Sequence, residues 1–361
     1  MSSGMPTQET ATASGAAVAA PRESREWAWS LGIGALILGL IALVPIVGDQ
    51  SALSLWTFIA MYIVLSQGWN FIGGFTGYPA FGNVAFFGIG AYTVALMLER
   101  NQSYWLGLAL GVVIAAVFAF LLGLPVLRLR GHYFAIATLG IAEALGEFAQ
   151  SKSVGATAGE ISLTPPSLSY HIVGKLFFYG FLGVALLTML GTAWLSRSRM
   201  GYALVAIREN ESAAEALGIP TYWYKISAFV LSAIPTALAG GLFAYWQLSF
   251  DPLGEGGAFD VNISVAMVLM TFLGGTGTIL GPILGAIIIE YLDQYTTFNY
   301  PGIHAPLLGG LIILVTIFLP QGLVRLVREL LRSPVGVKLS YSRRVKEGVR
   351  RVARFNISNG V

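Results

Sequence analysis

Tyr104–Val126 reads YWLGLALGVVIAAVFAFLLGLPV, a run without a single charge. A bilayer core needs about 20 such residues in one helix. The run is one of a series. Candidate spans lie at 29–48, 53–72, 80–98, 104–126, 132–149, 172–195, 225–248, 261–274, 278–292 and 304–323. The expected fold is therefore an all-α integral membrane protein with about ten transmembrane or re-entrant helices and short polar loops. The eighth and ninth spans are short and read either as two thin helices or as one broken, re-entrant element. Composition agrees. Hydrophobic residues make up 55% of 361 and charged residues 11%, against roughly 25% charged in a soluble domain. The chain has no Cys and three His, which excludes a disulfide framework, a thiolate zinc site and a catalytic thiol.

Charge orders these spans across the membrane. With both termini cytoplasmic, eighteen of the 21 Lys/Arg fall on the inner side, and only Arg100, Lys152 and Lys175 fall outside. That asymmetry is the positive-inside pattern. Residues 1–26 form a polar tail with no apolar core, so they are not a signal peptide and are expected to be disordered. Residues 27–323 form the membrane domain. Residues 324–361 form a basic cytoplasmic tail, with ten Lys/Arg between Arg325 and Arg354 against Glu329 and Glu347. Such a tail suits anionic headgroups better than nucleic acid.

Two stretches interrupt the hydrophobic pattern. The first runs GGFTGYPAFGN from Gly73 to Asn83, and includes Gly74, Gly77, Pro79 and Phe81. The second runs GGTGTILGP from Gly274 to Pro282, and includes Gly275 and Gly277. Unwound backbone at membrane depth needs protein or a water-filled cavity to satisfy its polar groups. Paired Gly/Pro breaks in a transporter therefore mark a substrate pathway. The other reading is close helix packing, since Gly277, Gly281 and Gly285 repeat at G-x-x-x-G spacing. The two readings are compatible. Glu143 and Glu147 share a face of the fifth span. Carboxylates in a span default to a functional role, and Glu143 joins the pathway candidates. Its alternative is a structural hydrogen bond.

The longest polar inner loop is Ser196–Tyr224. Within it Asn210 is a candidate helix N-cap, residues 211–217 favour helix, Gly218 supplies a C-terminal cap and Pro220 stops continuation. Ala213, Ala214 and Leu217 are expected on one apolar side. Glu209, Glu211 and Glu215 argue against a lipid-lying helix, because those are rich in Lys/Arg. A short helix of this kind suits docking into a groove of a soluble partner. No G-x-x-x-x-G-K-[ST] occurs, and Leu280 stands where a dinucleotide loop after Gly275 and Gly277 needs its third Gly. Neither nucleotide-binding loop is therefore present in the sequence.

The stretch Asn210-Glu211-x-Ala213-Ala214-Glu215-Ala216-Leu217-Gly218-Ile219 resembles the ATPase-coupling motif of bacterial ABC importer permeases. The flanking Arg199-x-Gly201-x-Ala203-x-x-Ala206-Ile207-Arg208 is similar to the version in branched-chain amino acid permeases of the LivM type. So are Asn70–Tyr92, Leu127–Leu139 with Glu143, and Gly274–Ala286 with Glu290. The resemblance covers residues 53–323. It implies a permease subunit, a transport component and not an enzyme, of an ABC importer for branched-chain or other neutral amino acids in a bacterial- or archaeal-type cytoplasmic (inner) membrane. The implied partners are a second related permease, one or two cytoplasmic ABC ATPase subunits and an extracytoplasmic binding protein. ATP and magnesium would sit on the ATPases, with no cofactor or metal in this chain. The implied coupling residues are Arg208, Asn210, Glu211, Ala213, Ala214, Glu215, Leu217 and Gly218. The same machine carrying urea or short amides is the alternative. A stand-alone ion-coupled transporter is a remote one.

Overall fold

The computed structural model describes residues 23–151, 161–163, 170–254 and 256–299, together with Gly309, Gly310, Gly322, Leu323, Val324 and Leu326. The polar N-terminal tail up to residue 22, the basic tail beyond residue 326 and nearly all of the span expected at 304–323 lie outside the described residues.

The described chain is helical almost throughout. In order, the helices are α1 (Glu23–Ile41), the single turn α2 (Val44–Val47), α3 (Gln50–Trp69), α4 (Val84–Glu99), α5 (Tyr104–Val126), α6 (His132–Gln150), α7 (Tyr170–Leu195), α8 (Arg199–Glu209), α9 (Glu211–Ala216), α10 (Thr221–Gln247), α11 (Val261–Gly274) and α12 (Gly281–Asn299). Two short strands, β1 (Ile161–Ser162) and β2 (Ser249–Phe250), pair antiparallel. Each of the first nine expected spans overlaps a helix, with shifted ends: α4 starts at Val84, α10 at Thr221, and α12 runs on to Asn299. Five helical segments are long and apolar enough to cross a membrane, and α4 and α11 are shorter apolar helices. The chain is thus a multi-pass, all-α membrane protein.

Helices α3, α4 and α10 make the centre. Ile59, Ile63, Val64, Leu65, Phe86, Phe87, Phe229 and Ala237 are all at or near zero exposure. Helix α10 is buried along most of its length, whereas α1 and α5 leave most of their apolar side chains outward. An apolar outer surface is what a helix facing lipid requires.

Small residues set how closely these helices approach. The inward residues of α5 are Gly107, Gly111, Ala115, Ala119 and Gly123. They recur every fourth position, and its outward residues include Val113, Val117, Phe120 and Leu121. In lipid there is no hydrophobic drive between helices, so close backbone approach along a small-residue stripe supplies the contact. Helices α4 and α10 meet the same way. A Cβ on Gly240 would run into the Phe87 carbonyl, and one on Gly90 into that of Ala237. Among the tryptophans, Trp29, Trp105, Trp194 and Trp223 are exposed near helix ends, as residues of interfacial belts are.

Candidate functional site

The first glycine break grows out of α3. After Trp69 the helix widens into a π-helical turn, Asn70–Gly74, a local irregularity common at functional sites. Gly77, at φ +74°, then takes the chain out of helical geometry. The Trp69 indole donates to the Ala80 carbonyl at 2.7 Å, and the Ser264 hydroxyl of α11 accepts from Val84 N–H at 3.0 Å. These bonds fix the irregular stretch at both ends.

The second break is the hairpin between α11 and α12. Gly275 and Gly277 take φ of +125° and +72°. The Thr278 hydroxyl donates to the Gly275 carbonyl at 2.7 Å and accepts from Gly281 N–H at 3.0 Å, opening α12. A Cβ on Gly274 would strike the backbone of Gly281, and one on Gly285 that of Met270. The close-packing reading therefore holds at Gly274, Gly281 and Gly285.

The two breaks, some 200 residues apart in sequence, lie against each other. Asn70 Oδ1 accepts from Gly277 N–H at 2.8 Å, and Asn70 Nδ2 donates to the Thr278 carbonyl at 3.1 Å. Gln67 Nε2 donates to the Ile279 carbonyl at 2.8 Å, and Thr192 of α7 donates to Gln67 Oε1 at 2.8 Å. Asn70 and Gln67 are fully buried. Their side-chain amides satisfy the backbone groups that unwinding left free, which is the condition for irregular backbone at this depth.

Helix α9 sits beside the first break. Asn210 caps it by accepting from Ala213 N–H at 3.0 Å. At the other end Gly218 N–H bonds to the Glu215 carbonyl and Ile219 N–H to that of Ala214, with Gly218 at φ +81°. This is the Schellman arrangement that a glycine cap supports. The expected single apolar side is corrected. Ala214 faces the bundle at 2% exposure, while Ala213 and Leu217 face outward, Leu217 at 81%. Residues one apart point about 100° from each other on a helix, so Ala213 and Ala214 cannot share one narrow contact. The loop also holds a second helix, α8, capped by Ser198.

Glu211, the first residue of α9, ties it to the bundle. The Lys225 ammonium donates to Glu211 Oε1 at 2.6 Å, to the Tyr78 hydroxyl at 3.0 Å and to the Leu127 carbonyl at 3.3 Å. The Tyr78 hydroxyl donates to Glu211 Oε2 at 2.6 Å. Lys225 also lies 4.6 Å from the Tyr78 ring centre, a cation–π distance. Burial pushes the Glu211 carboxyl up, but the hydrogen bonds from Lys225 and Tyr78 and the nearby positive charges outweigh it and hold the group below the ordinary value of 4.5. Glu215 accepts from the Thr221 hydroxyl at 2.8 Å, and Arg130 stands 3.9 Å from both carboxylates.

The structure thus joins most of the residues singled out from sequence. Gly73, Gly74 and Asn83 are buried, Pro79 and Phe81 half-buried and Gly77 exposed along the first break. Gly274 and Gly275 are buried and Gly277 half-buried along the second. Glu143 stands apart. It lies on the exposed stripe of α6 with Tyr133, Ile136, Gly140 and Glu147, while Phe134, Thr138, Ala142 and Gly146 face the bundle. Lys225, Tyr78, Gln67 and Asn70 were not singled out as site residues. Lys225 counted only as one more inner positive charge, and nothing local in sequence pairs it with Tyr78, 147 residues away.

The family profile described as "Branched-chain amino acid transport system / permease component" matches residues 51–319. The chain is 31% identical over 324 residues to the high-affinity branched-chain amino acid transport system permease protein LivM of Salmonella typhimurium, covering 81% of this chain and 74% of that one. It is 31% identical over 320 residues to LivM of Escherichia coli, covering 80% and 73%. It is also 34% identical over 180 residues to the autoinducer 2 import system permease protein LsrC of Klebsiella pneumoniae, covering 49% and 51%. No solved structure matches. With the broken helices, the capped loop helix and a match over three quarters of its length, the chain belongs to the branched-chain amino acid transport system permease family, as a LivM-type ABC permease.

Proposed function

We propose that this chain is the pore-forming subunit of an ATP-driven importer of branched-chain or other neutral amino acids. It works with a second related permease, one or two cytoplasmic ATPase subunits that carry ATP and magnesium, and an extracytoplasmic binding protein. It lies in the cytoplasmic membrane with both termini inside. The carrying observation is α9, a helix capped at both ends, tied to the bundle by Glu211 and presenting Leu217 outward at 81% exposure. A short capped helix that leaves one side outward suits docking into a groove of a soluble partner, and α9 is assigned as the ATPase-docking helix.

The test is to purify the chain with the products of neighbouring reading frames and measure ATP hydrolysis with the matching binding protein. Stimulation by leucine, isoleucine or valine is expected. Stimulation by urea or a short amide would keep the machine and overturn the substrate. In the same preparation Leu217→Asp is expected to weaken ATPase co-purification about tenfold, the loss of one apolar anchor of roughly 1.5 kcal/mol. Undiminished co-purification would remove α9 from the docking surface.

The pathway is assigned to the exposed stripe of α6. A carboxylate in a span is too costly to face lipid, so Glu143 and Glu147 require water or a polar protein neighbour. A Cβ at Gly140, one turn away, would meet nothing within 4 Å. The absence of native Cys gives a clean probe. Glu143→Cys is expected to react with a water-soluble maleimide far faster than Leu187→Cys, whose position on α7 is 64% exposed among apolar neighbours. Equal rates would place α6 against lipid and end this assignment.

A further inference from the structure

The last turn of α8 carries Arg208, two residues before α9. Its guanidinium Nη1 donates to the carbonyl of Gly74 at 2.8 Å. Gly74 closes the π-helical turn that ends α3, where carbonyls lose their helical partners and the helix dipole is negative. A cation there satisfies both conditions. The same side chain also reaches the other break. A Cβ on Gly277 would lie 2.8 Å from Arg208 Nη1 and 3.1 Å from the Gly74 carbonyl, and one on Gly77 would lie 2.9 Å from Arg208 Cγ. Gly277 is itself held by Asn70. One guanidinium therefore lies over the meeting point of both glycine breaks.

A second arm runs parallel to the first. Three residues after Arg208, Glu211 accepts from Tyr78, which lies one residue beyond Gly77. The residues on either side of Asn210 thus grip the segment 74–78 at two points. Glycine at 77 and 277 leaves room for the arginine, and glycine at 74 leaves room for the Asn70 amide and the Gly277 N–H that it holds.

We propose that Arg208 is a positioning residue for transport: it clamps the two broken helices to the base of α9, so that displacement of α9 is converted into displacement of the Gly73–Asn83 and Gly274–Ile279 segments. This rests on the reading of α9 as the ATPase-docking helix. A rigid element gripped at two points moves what it grips, whereas a helix joined only by its chain ends can swing without effect. The fork geometry matters. The planar guanidinium bonds the Gly74 carbonyl through Nη1 while packing against Gly277, with Nη2 3.5 Å from Glu209; a lysine, as a point charge, supplies the bond without the flat packing surface.

The experiment uses the assembled importer in proteoliposomes, with transport and ATP hydrolysis measured together. Arg208→Met is expected to leave the ATPase bound and hydrolysing while transport per ATP falls about tenfold, within the usual range of coupling between sites. Arg208→Lys is expected to lose roughly threefold, because it keeps the charge and a donor for the Gly74 carbonyl but not the flat packing surface against Gly277. An unchanged ratio in Arg208→Met overturns the clamp, and so does loss of ATPase binding in that variant, which would make Arg208 a docking residue. If Arg208→Met does not accumulate, an unchanged ratio in Arg208→Lys overturns it alone. Failure of the docking reading itself is seen separately, as ATPase that still co-purifies with Leu217→Asp. A merely structural arginine would lower transport and hydrolysis together and leave their ratio intact.

Discussion

Lys225→Met is expected to destabilise the protein by roughly 3 kcal/mol, the low end for breaking a buried ion pair, because Glu211 keeps some contact with water. Lys225 is 3% exposed and serves three acceptors at once: Glu211, Tyr78 and the Leu127 carbonyl. Methionine keeps most of the volume and supplies no donor. The Glu211 carboxylate is then left with Tyr78 and with the largely exposed Arg130 at 3.9 Å. The double variant Lys225→Met/Glu211→Gln is expected to recover more than half of the loss, since no uncompensated charge remains. The check is thermal unfolding of the purified protein, with a drop of roughly 5–10 °C in the single variant. If the double variant is as unstable as the single, the charge argument fails and Lys225 acts by packing. Acid gives a second view of the same pair. The folded pKa of Glu211 lies below 4.5. Its stabilising contribution is therefore complete above 4.5 and is lost as pH falls through the lowered folded value. The stability gap between the native protein and Glu211→Gln is expected to stay constant from pH 7 to about 5 and to close below 4.5.

Gly240→Leu is expected to abolish the folded bundle. The site lies where α10 crosses α4, with the Phe87 carbonyl against Gly240 and the Ala237 carbonyl against Gly90. What blocks a side chain there is backbone, which cannot turn aside. Overpacking costs roughly 1–3 kcal/mol where side chains can yield. Here two central helices must separate, and α10 also carries Lys225 at its start. Gly183→Leu on α7 is the control, since a Cβ there meets nothing within 4 Å. Accumulation and unfolding temperature in the membrane fraction decide it. A Gly240→Leu protein as stable as the Gly183→Leu control would show that the two helices are not in close contact.

These two predictions rest on contacts of different legibility. The order of apolar runs made the helical membrane fold readable, because a span must satisfy its backbone internally and must be apolar along a fixed length. The caps of α9 were equally readable. Asn210 and Gly218 act within a few residues of themselves, so local chemistry decides them. The face of α9 was not. Whether Ala213 or Ala214 turns inward depends on how α8, packed against α10, delivers the chain and on how Tyr78 and Lys225 hold Glu211.

The breaks divide along the same line. Gly73–Asn83 and Gly274–Pro282 identified themselves in sequence, because only glycine and proline interrupt an apolar run this way. Their meeting could not be read there. Asn70 and Gln67 looked like ordinary polar residues near a span end, and Lys225 like one inner charge among eighteen. By itself, the sequence determined the class of fold, the charge asymmetry, the glycine breaks and the capped helix, all set by chemistry within a few residues or by total apolar length. Tertiary structure alone decided that both breaks share one site, that Arg208 lies over it and that Lys225, Tyr78 and Glu211 bind α9 to the bundle. The physical reason is distance along the chain. Hydrogen bonds between residues 133 to 212 positions apart depend on where whole helices come to rest, and no local propensity encodes that.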